Sequence, residues 1–342
     1  MKTSLAVLGT LLIVLTISSI TFAQAHFAPG VANIRDYTEP EPGVYLPVYN
    51  YGYTTSTLTN NGGNKISQIF IGSVPISVDV DVNLYALSPL LLWITDNKFL
   101  GANYGAYIAP SFSNANVAAS LSIVQEGVNP EISQFAVGDL FVQPLWLGWN
   151  RKQFDTAFGY GFYAPVGKFD TQTLTLPAGS KIVTAPTNVG LGYWTHQLQG
   201  SVTWYPSPKR GTAITNTLTL EFNGTQRDTD FQNGDFLTWN WGASQYLPLD
   251  NKFHYLAELG VAGYSQWQFT DSSGPGVTTA NFHDQVHAIG LQAGITNTRL
   301  GLQVNFRYMN EFYAANRFRG SSYSLNLGYT IKKPKAAPPA SP

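Results

Sequence analysis

Between Arg299 and Ile331 the chain alternates between apolar and polar residues. Leu300, Leu302, Val304, Phe306, Tyr308 and Phe312 fall on one parity, while Gly301, Gln303, Asn305, Arg307 and Glu311 fall on the other. After a turn at 315–320 the alternation resumes, with Tyr323, Leu325, Leu327 and Tyr329 set against Ser324, Asn326, Gly328 and Thr330. Successive strand residues point to opposite faces, so this is a hairpin with one oily and one polar face. In a water-soluble sheet the oily face needs a second layer, and the chain offers no convincing amphipathic helix to provide it. Lipid outside and water inside satisfies both faces, which is the solution of a transmembrane β-barrel.

Composition agrees with that solution. Only 11% of the 342 residues are charged, against 14% aromatic and 44% hydrophobic, yet the mean hydropathy is close to zero. Asn, Gln, Ser, Thr and Gly therefore fill the alternate positions, and no mature segment has the roughly 18 consecutive apolar residues of a membrane helix. A formal net charge of -1 gives no basic surface, so no nucleic-acid partner is expected. The absence of cysteine excludes disulfides, thiolate metal sites and lipoprotein acylation.

Taken in order, residues 1–25 read as a secretory signal: Lys2 is basic, residues 5–20 are apolar, and Ala23-Gln24-Ala25 is a cleavage site before His26. Residues 26–43, rich in Pro and Gly, read as a periplasmic leader or a short plug in the barrel mouth. Phe27, Val31, Ile34 and Tyr37, spaced by three and four, suit one or two helical turns of such a plug. The barrel is expected over 44–331 and a disordered periplasmic tail over 332–342.

Within 44–331 the punctuation predicts twelve strands, at 44–58, 77–94, 102–112, 135–149, 153–164, 188–205, 211–223, 235–247, 252–270, 284–297, 300–314 and 321–331. Residues 65–94 contain Pro75 and Pro89 and read as one bent strand or two, which sets a range of ten to fourteen. Short connections alternate with the long ones at 113–134, 165–187, 224–234 and 271–283, with 315–320 a short exception. Short periplasmic turns and long outer loops place both termini in the periplasm. Aromatic residues collect at both strand ends, as two interfacial girdles require. Trp204, Tyr205, Tyr246 and Tyr329 lie at the short-turn end; Phe222, Phe236, Phe312 and Tyr323 lie at the long-loop end.

Several polar residues are candidates for the lumen or its constriction. Asp79, Asp81 and Asn83 alternate with valines, and same-face neighbours about 7 Å apart form either a cation site, a proton-sharing pair or plain lumen polarity. His254 with Glu258, and Arg307 with Glu311, share the polar parity of their strands and read as charge rows that set selectivity or simply fill the interior. In strand 135–149, Leu140, Val142 and Trp146 are apolar on the face expected to line the lumen. They are candidates to meet an apolar ligand or the plug residues Phe27 and Ile34. Gln143-Pro144 is a candidate kink or lateral gap. His283, His287 and Asp284 are the metal-ligating types nearest one another, without a convincing full set, so no metal is expected. No catalytic motif appears.

Stretches along the whole mature chain carry a family resemblance: HFAPGVANIRD (26–36), PEPGVY (40–45), GDL with QPL (138–140 and 143–145), YGFYAPVGKFD (160–170), NVGLGYWT (188–195) and GDFLTWNWG (234–242). On these stretches the chain resembles the meta-pathway phenol-degradation family of outer-membrane proteins. The resemblance implies a porin-like barrel that admits hydrophobic small molecules. The expected function is thus a passive outer-membrane channel for small hydrophobic or aromatic compounds, not an enzyme and without a cofactor. A lipid hydrolase and a structural or adhesive barrel are the alternatives. The expected partners are outer-membrane lipid, a small-molecule solute and the barrel assembly machinery. A subunit-facing surface would read like a lipid-facing one, so the pattern sets no oligomeric state.

Overall fold

The structure, a computed structural model, describes residues 25–332 except 72–73, 124–125, 129–130, 177–178, 186–187, 276 and 278–281. The expected signal sequence up to residue 24 and the tail from residue 333 lie outside the described residues.

Twelve antiparallel strands close into a barrel. We number them β1 (Gly43–Thr55), β2 (Val74–Pro89 and Leu91–Phe99), β3 (Ala102–Ala109 and Phe112–Ile123), β4 (Glu131–Val137 and Leu140–Asn150), β5 (Phe154–Ala164) and β6 (Thr195–Trp204). The other half comprises β7 (Thr212–Asn223), β8 (Phe236–Pro248), β9 (Tyr255–Gln268), β10 (Gln285–Asn297), β11 (Leu302–Ala315) and β12 (Ser321–Lys332). Each strand pairs with the next, and β12 returns to β1 from Val44↔Lys332 to Thr54↔Ser321. Closure leaves no unpaired strand edge in lipid. Among the described residues no helix is long and apolar enough to cross a membrane.

The alternation dictates the outer surface. Leu218, Trp239, Leu259, Leu291, Phe306 and Leu325, one from each of six neighbouring strands, point outward and stay between 37% and 62% exposed. A continuous belt of this kind is far larger than the apolar patches water-soluble proteins carry, and lipid is the solvent it fits. Trp204, Tyr255 and Tyr329 stand outward at the short-turn end, and Phe222, Phe269, Phe312 and Tyr323 at the other. Tyr205, Tyr246 and Phe236 depart from the expected girdles. Tyr205 and Phe236 are buried, and Tyr205 and Tyr246 line the interior.

Three strands carry breaks that the hydrophobic pattern does not announce. β2, β3 and β4 are interrupted near Leu90, Pro110-Ser111 and Gly138-Asp139, at matching heights, and each resumes on the far side. They therefore reach further than their neighbours. The segment 113–134, expected as a long loop, is mostly strand, because β3 continues to Ile123 and β4 begins at Glu131. Residues 74–99 are one bent strand, with a short strand Gln68–Ile71 folded back on it, so the count is twelve.

Candidate functional site

Residues 25–42 run inside the barrel. The segment makes no helix: its one described backbone hydrogen bond is the turn from the Asp36 N–H to the Asn33 carbonyl, 3.1 Å. The reason is competition, because the barrel wall supplies its partners instead. The carboxylate of Glu221 (β7) accepts the Phe27 N–H at 2.8 Å, and Asn240 (β8) accepts that of Gly30 at 3.1 Å. Gln266 (β9) donates to the Phe27 carbonyl, and Gln292 (β10) accepts the Ile34 N–H at 3.2 Å. Arg307 (β11) donates to the Gly30 carbonyl at 3.1 Å, and Asn326 (β12) to that of Val31 at 2.8 Å. Each of the six C-terminal strands thus contributes one side chain to the plug backbone. Strand geometry makes this possible, since inward positions on adjacent strands form a continuous ladder.

Side chains lock both ends. At the short-turn end Arg35 donates through Nε to Glu258 Oε1 at 3.0 Å and through its terminal nitrogens to the carbonyls of Arg210 and Gly211. Its guanidinium also lies 3.9 Å from the Tyr246 ring centroid. At the other end the His26 imidazole stacks on Tyr163 and lies 2.9 Å from Asp139 Oδ2 and 2.7 Å from Thr195 Oγ1. Asp139 sits at the break in β4 and also accepts the Gly167 and Leu191 N–H groups. Four of the stretches that carry the family resemblance, around His26, Asp139, Gly167 and Leu191, therefore meet at this one carboxylate.

Between these ends Ile34 rests on Gly242 and Gly260. A Cβ at either would come within 2.8 Å or 2.6 Å of the Ile34 side chain, so glycine is what lets the plug approach the wall. Glu39 lies in the same way against Gly105 and Gly148. Burial pushes the Glu39 carboxyl up to about 8, against the opposing pull of Lys98 and the Gly148 N–H.

The plug does not fill the barrel. A cavity of about 1520 Å³ remains, and β1–β5 give it Tyr49, Tyr51, Leu84, Leu92, Phe141 and Tyr163. The facing wall is different. There Thr203 and Thr215 bond at 2.9 Å, Thr217 donates to Ser201, and Gln199 to Thr219, which makes a close-packed polar ladder.

The expected site residues separate into those the structure brings together and those it does not. Glu258, Arg307 and Glu311 point inward, but as holders of fixed structure and not as rows across open water. Glu258 is 1% exposed between Arg35 and Gln292, and Arg307 bonds Gln292 as well as Gly30. Glu311 accepts Tyr53, Tyr264 and the Gly320 N–H. His254 lies outside the lumen, in the turn before β9, 3.3 Å from Asp250. Asp79, Asp81 and Asn83 face outward and are exposed, while Val78, Val80 and Val82 are buried; the expected lumen face is the outer face of the tall part of β2.

Leu140 and Val142 are corrected for a related reason. A register shift around Pro144 inverts the phase of β4, so Phe141, Gln143 and Trp146 all point inward, whereas Val142 pairs on the outer face with Ile108 and Phe162. Pairing with both neighbours is interrupted at Pro144 and resumes on either side of it, so Gln143-Pro144 marks the expected kink. Trp146 packs with Leu92, Ile94 and Ala157. Of the plug residues, Ile34 joins a buried cluster with Ala262, Tyr264 and Met309.

His283, Asp284 and His287 go to different partners: Asp271, Arg317 and Ser265. Sequence reasoning missed His26, Arg35, Glu39, Glu221, Asn240, Gln266, Gln292 and Asn326. All but the first three stand on the inward parity of their strands, which was the available signal.

The family described as "Putative MetA-pathway of phenol degradation" matches residues 55–327. Among solved structures, the chain is similar to the COG4313 outer membrane channel from Pseudomonas putida F1, at TM-score 0.62 and 14% identity, covering 88% of this chain and 100% of that one. The β domain of the Bordetella autotransporter BrkA gives TM-score 0.43 and 11% identity, covering 84% of this chain and 100% of that one. A comparison with curated proteins gives no match.

Proposed function

The chain belongs to the MetA-pathway phenol-degradation family, and from that premise we propose that it is an outer-membrane channel for passive diffusion of small hydrophobic or aromatic molecules. The observation that carries the reading is the cavity beside the plug, whose β1–β5 wall is aromatic and aliphatic where the opposite wall is polar. An apolar solute exchanges water for ring and alkyl surface along that wall, and a sugar gains nothing there. The likeness to the Pseudomonas putida channel supports the fold on which this rests.

In this reading the short turns face the periplasm, the long loops face outward, and the assembly machinery engages β12. An epitope inserted in the loop 165–187 is then reachable on intact cells and one at Ser207 is not. Liposomes containing the protein should take up phenol-like and aliphatic probes faster than protein-free liposomes, with little gain for a hexose. Equal uptake with and without the protein would sink the channel. Phospholipid ester hydrolysis by the purified protein, lost on a single Ser or His substitution, would replace it with the hydrolase.

A further inference from the structure

Glu221 stands on the inward face of β7 with none of its surface exposed. Its Oε1 accepts the Phe27 N–H at 2.8 Å, and the backbone N–H of His26, the preceding residue, lies beside this carboxylate. Its Oε2 is buried and meets no donor. Among the described residues no lysine, arginine or histidine side chain forms an ion pair with it. Burying a carboxylate without a cation is expensive, so a carboxylate kept buried here calls for a positive charge beside it. The missing charge has an evident source within the chain. His26 is fixed by Tyr163, Tyr193, Thr195 and Asp139, and immediately before it stands the cleavage sequence Ala23-Gln24-Ala25.

We propose that Glu221 is the receptor for the amino terminus created by signal cleavage. Hydrolysis of the Ala25–His26 amide by a signal peptidase breaks the C–N bond. Water supplies hydroxyl to the Ala25 carbonyl carbon and a proton to the His26 nitrogen, and the new amine takes a further proton from solvent. The product is an α-ammonium at the place where the His26 N–H already lies, so processing converts an uncompensated carboxylate into an ion pair. An α-amine has an ordinary pKa of about 7.7 to 8.0, and an adjacent carboxylate favours its charged form. An unprocessed chain lacks this charge. It would also keep the apolar run 5–20 attached directly ahead of the docked His26, which opposes docking on both counts. Cleavage thus licenses the plug, and Glu221 reads that it has happened. The inference rests on the plug being docked as described and not on what the channel carries.

The test uses the full-length protein purified from outer membranes. Mass analysis of the terminal peptide should show a chain that begins at His26 with a free amine. An α-amine-selective acylating reagent at neutral pH should label the native protein about tenfold or more slowly than the denatured protein, as a docked group requires. Glu221→Gln should remove most of that protection, while Glu221→Asp should retain part of it. A first residue other than His26, or equal labelling of native and denatured protein, overturns the proposal, and so does full protection in Glu221→Gln. If Glu221→Gln fails to assemble, the native-to-denatured comparison on the unmodified protein still decides. Hydrogen exchange over 27–37 separates the two layers: fast exchange in the unmodified protein defeats the docked plug itself, while slow exchange with a reactive amine defeats only the role of Glu221.

Discussion

The two walls of the barrel obey the same rule outside and opposite rules inside. On β7–β12 the inward positions include Glu221, Asn240, Gln266, Gln292, Arg307 and Asn326, each of which bonds the plug backbone. On β1–β5 they include Leu84, Leu92 and Phe141, which line the free volume, and Tyr49, whose hydroxyl donates to Asp36 of the plug. Lipid imposes one demand on every strand, so the outer face is uniform. The inner face answers to whatever occupies the lumen, and here a polar backbone lies against one side only. A buried backbone must find hydrogen-bond partners, and the wall that touches it has to be polar.

The largest effect should come from removing what separates the walls. Deleting residues 27–37 should leave the barrel assembled and heat-resistant, because its strand ladder is complete without the plug, yet raise single-channel conductance severalfold and admit larger polar solutes. Unchanged conductance in a folded deletion would mean that the two walls are not functionally distinct. Next, Arg35→Ala removes the cation beside buried Glu258, a loss of about 3 kcal/mol where such a pair is well buried. Hydrogen exchange over 30–37 should then accelerate while the strands stay protected. Gly260→Val should act in the same direction but less, since its side chain meets Ile34 and the Ala243 carbonyl, an overpacking cost of about 1–3 kcal/mol.

Substitution on the other wall should do the reverse. Tyr107→Ala, on β3 and also lining the cavity, or Phe141→Ala should alter uptake of aromatic probes and leave exchange in the plug as it was; a loosened plug in either variant would show that the walls are coupled. The smallest effect concerns pH. The docked Glu39 carboxyl titrates at about 8, above its ordinary 4.5, so the docked state holds the extra proton. Docking is therefore strongest below the ordinary value, weakens as pH rises from there through 8, and levels off above it. Glu39→Gln should flatten that dependence, and a channel whose open fraction is constant between pH 5 and 9 would contradict the assignment.

The errors of the sequence reading have three separate origins. Parity placed Glu258, Arg307 and Glu311 inside, because β9 and β11 keep their phase through the positions concerned. It misplaced Leu140 and Val142 because one register shift at Pro144 moves every later side chain of β4 to the other face. Asp79 and Asp81 were misplaced because the rule "polar inward" holds only at the height of the lipid, and β2, together with β3 and β4, rises beyond the flanking strands β1 and β5, where water lies on the outside too. The expected helical turns at 27–37 are absent because their spacing describes one face of an isolated helix, and the segment lies in a groove that offers it better partners.

By itself the sequence determined a closed barrel of ten to fourteen strands and its lipid-facing surface, since period-two alternation is a local property and lipid leaves one way to satisfy it. Tertiary structure alone decided that residues 25–42 occupy the lumen, which wall they bind, and where free volume remains. Those outcomes depend on contacts such as Ile34 with Gln292 and Gly30 with Arg307, made between residues more than 250 positions apart and set by strand stagger and register rather than by any neighbour in the chain.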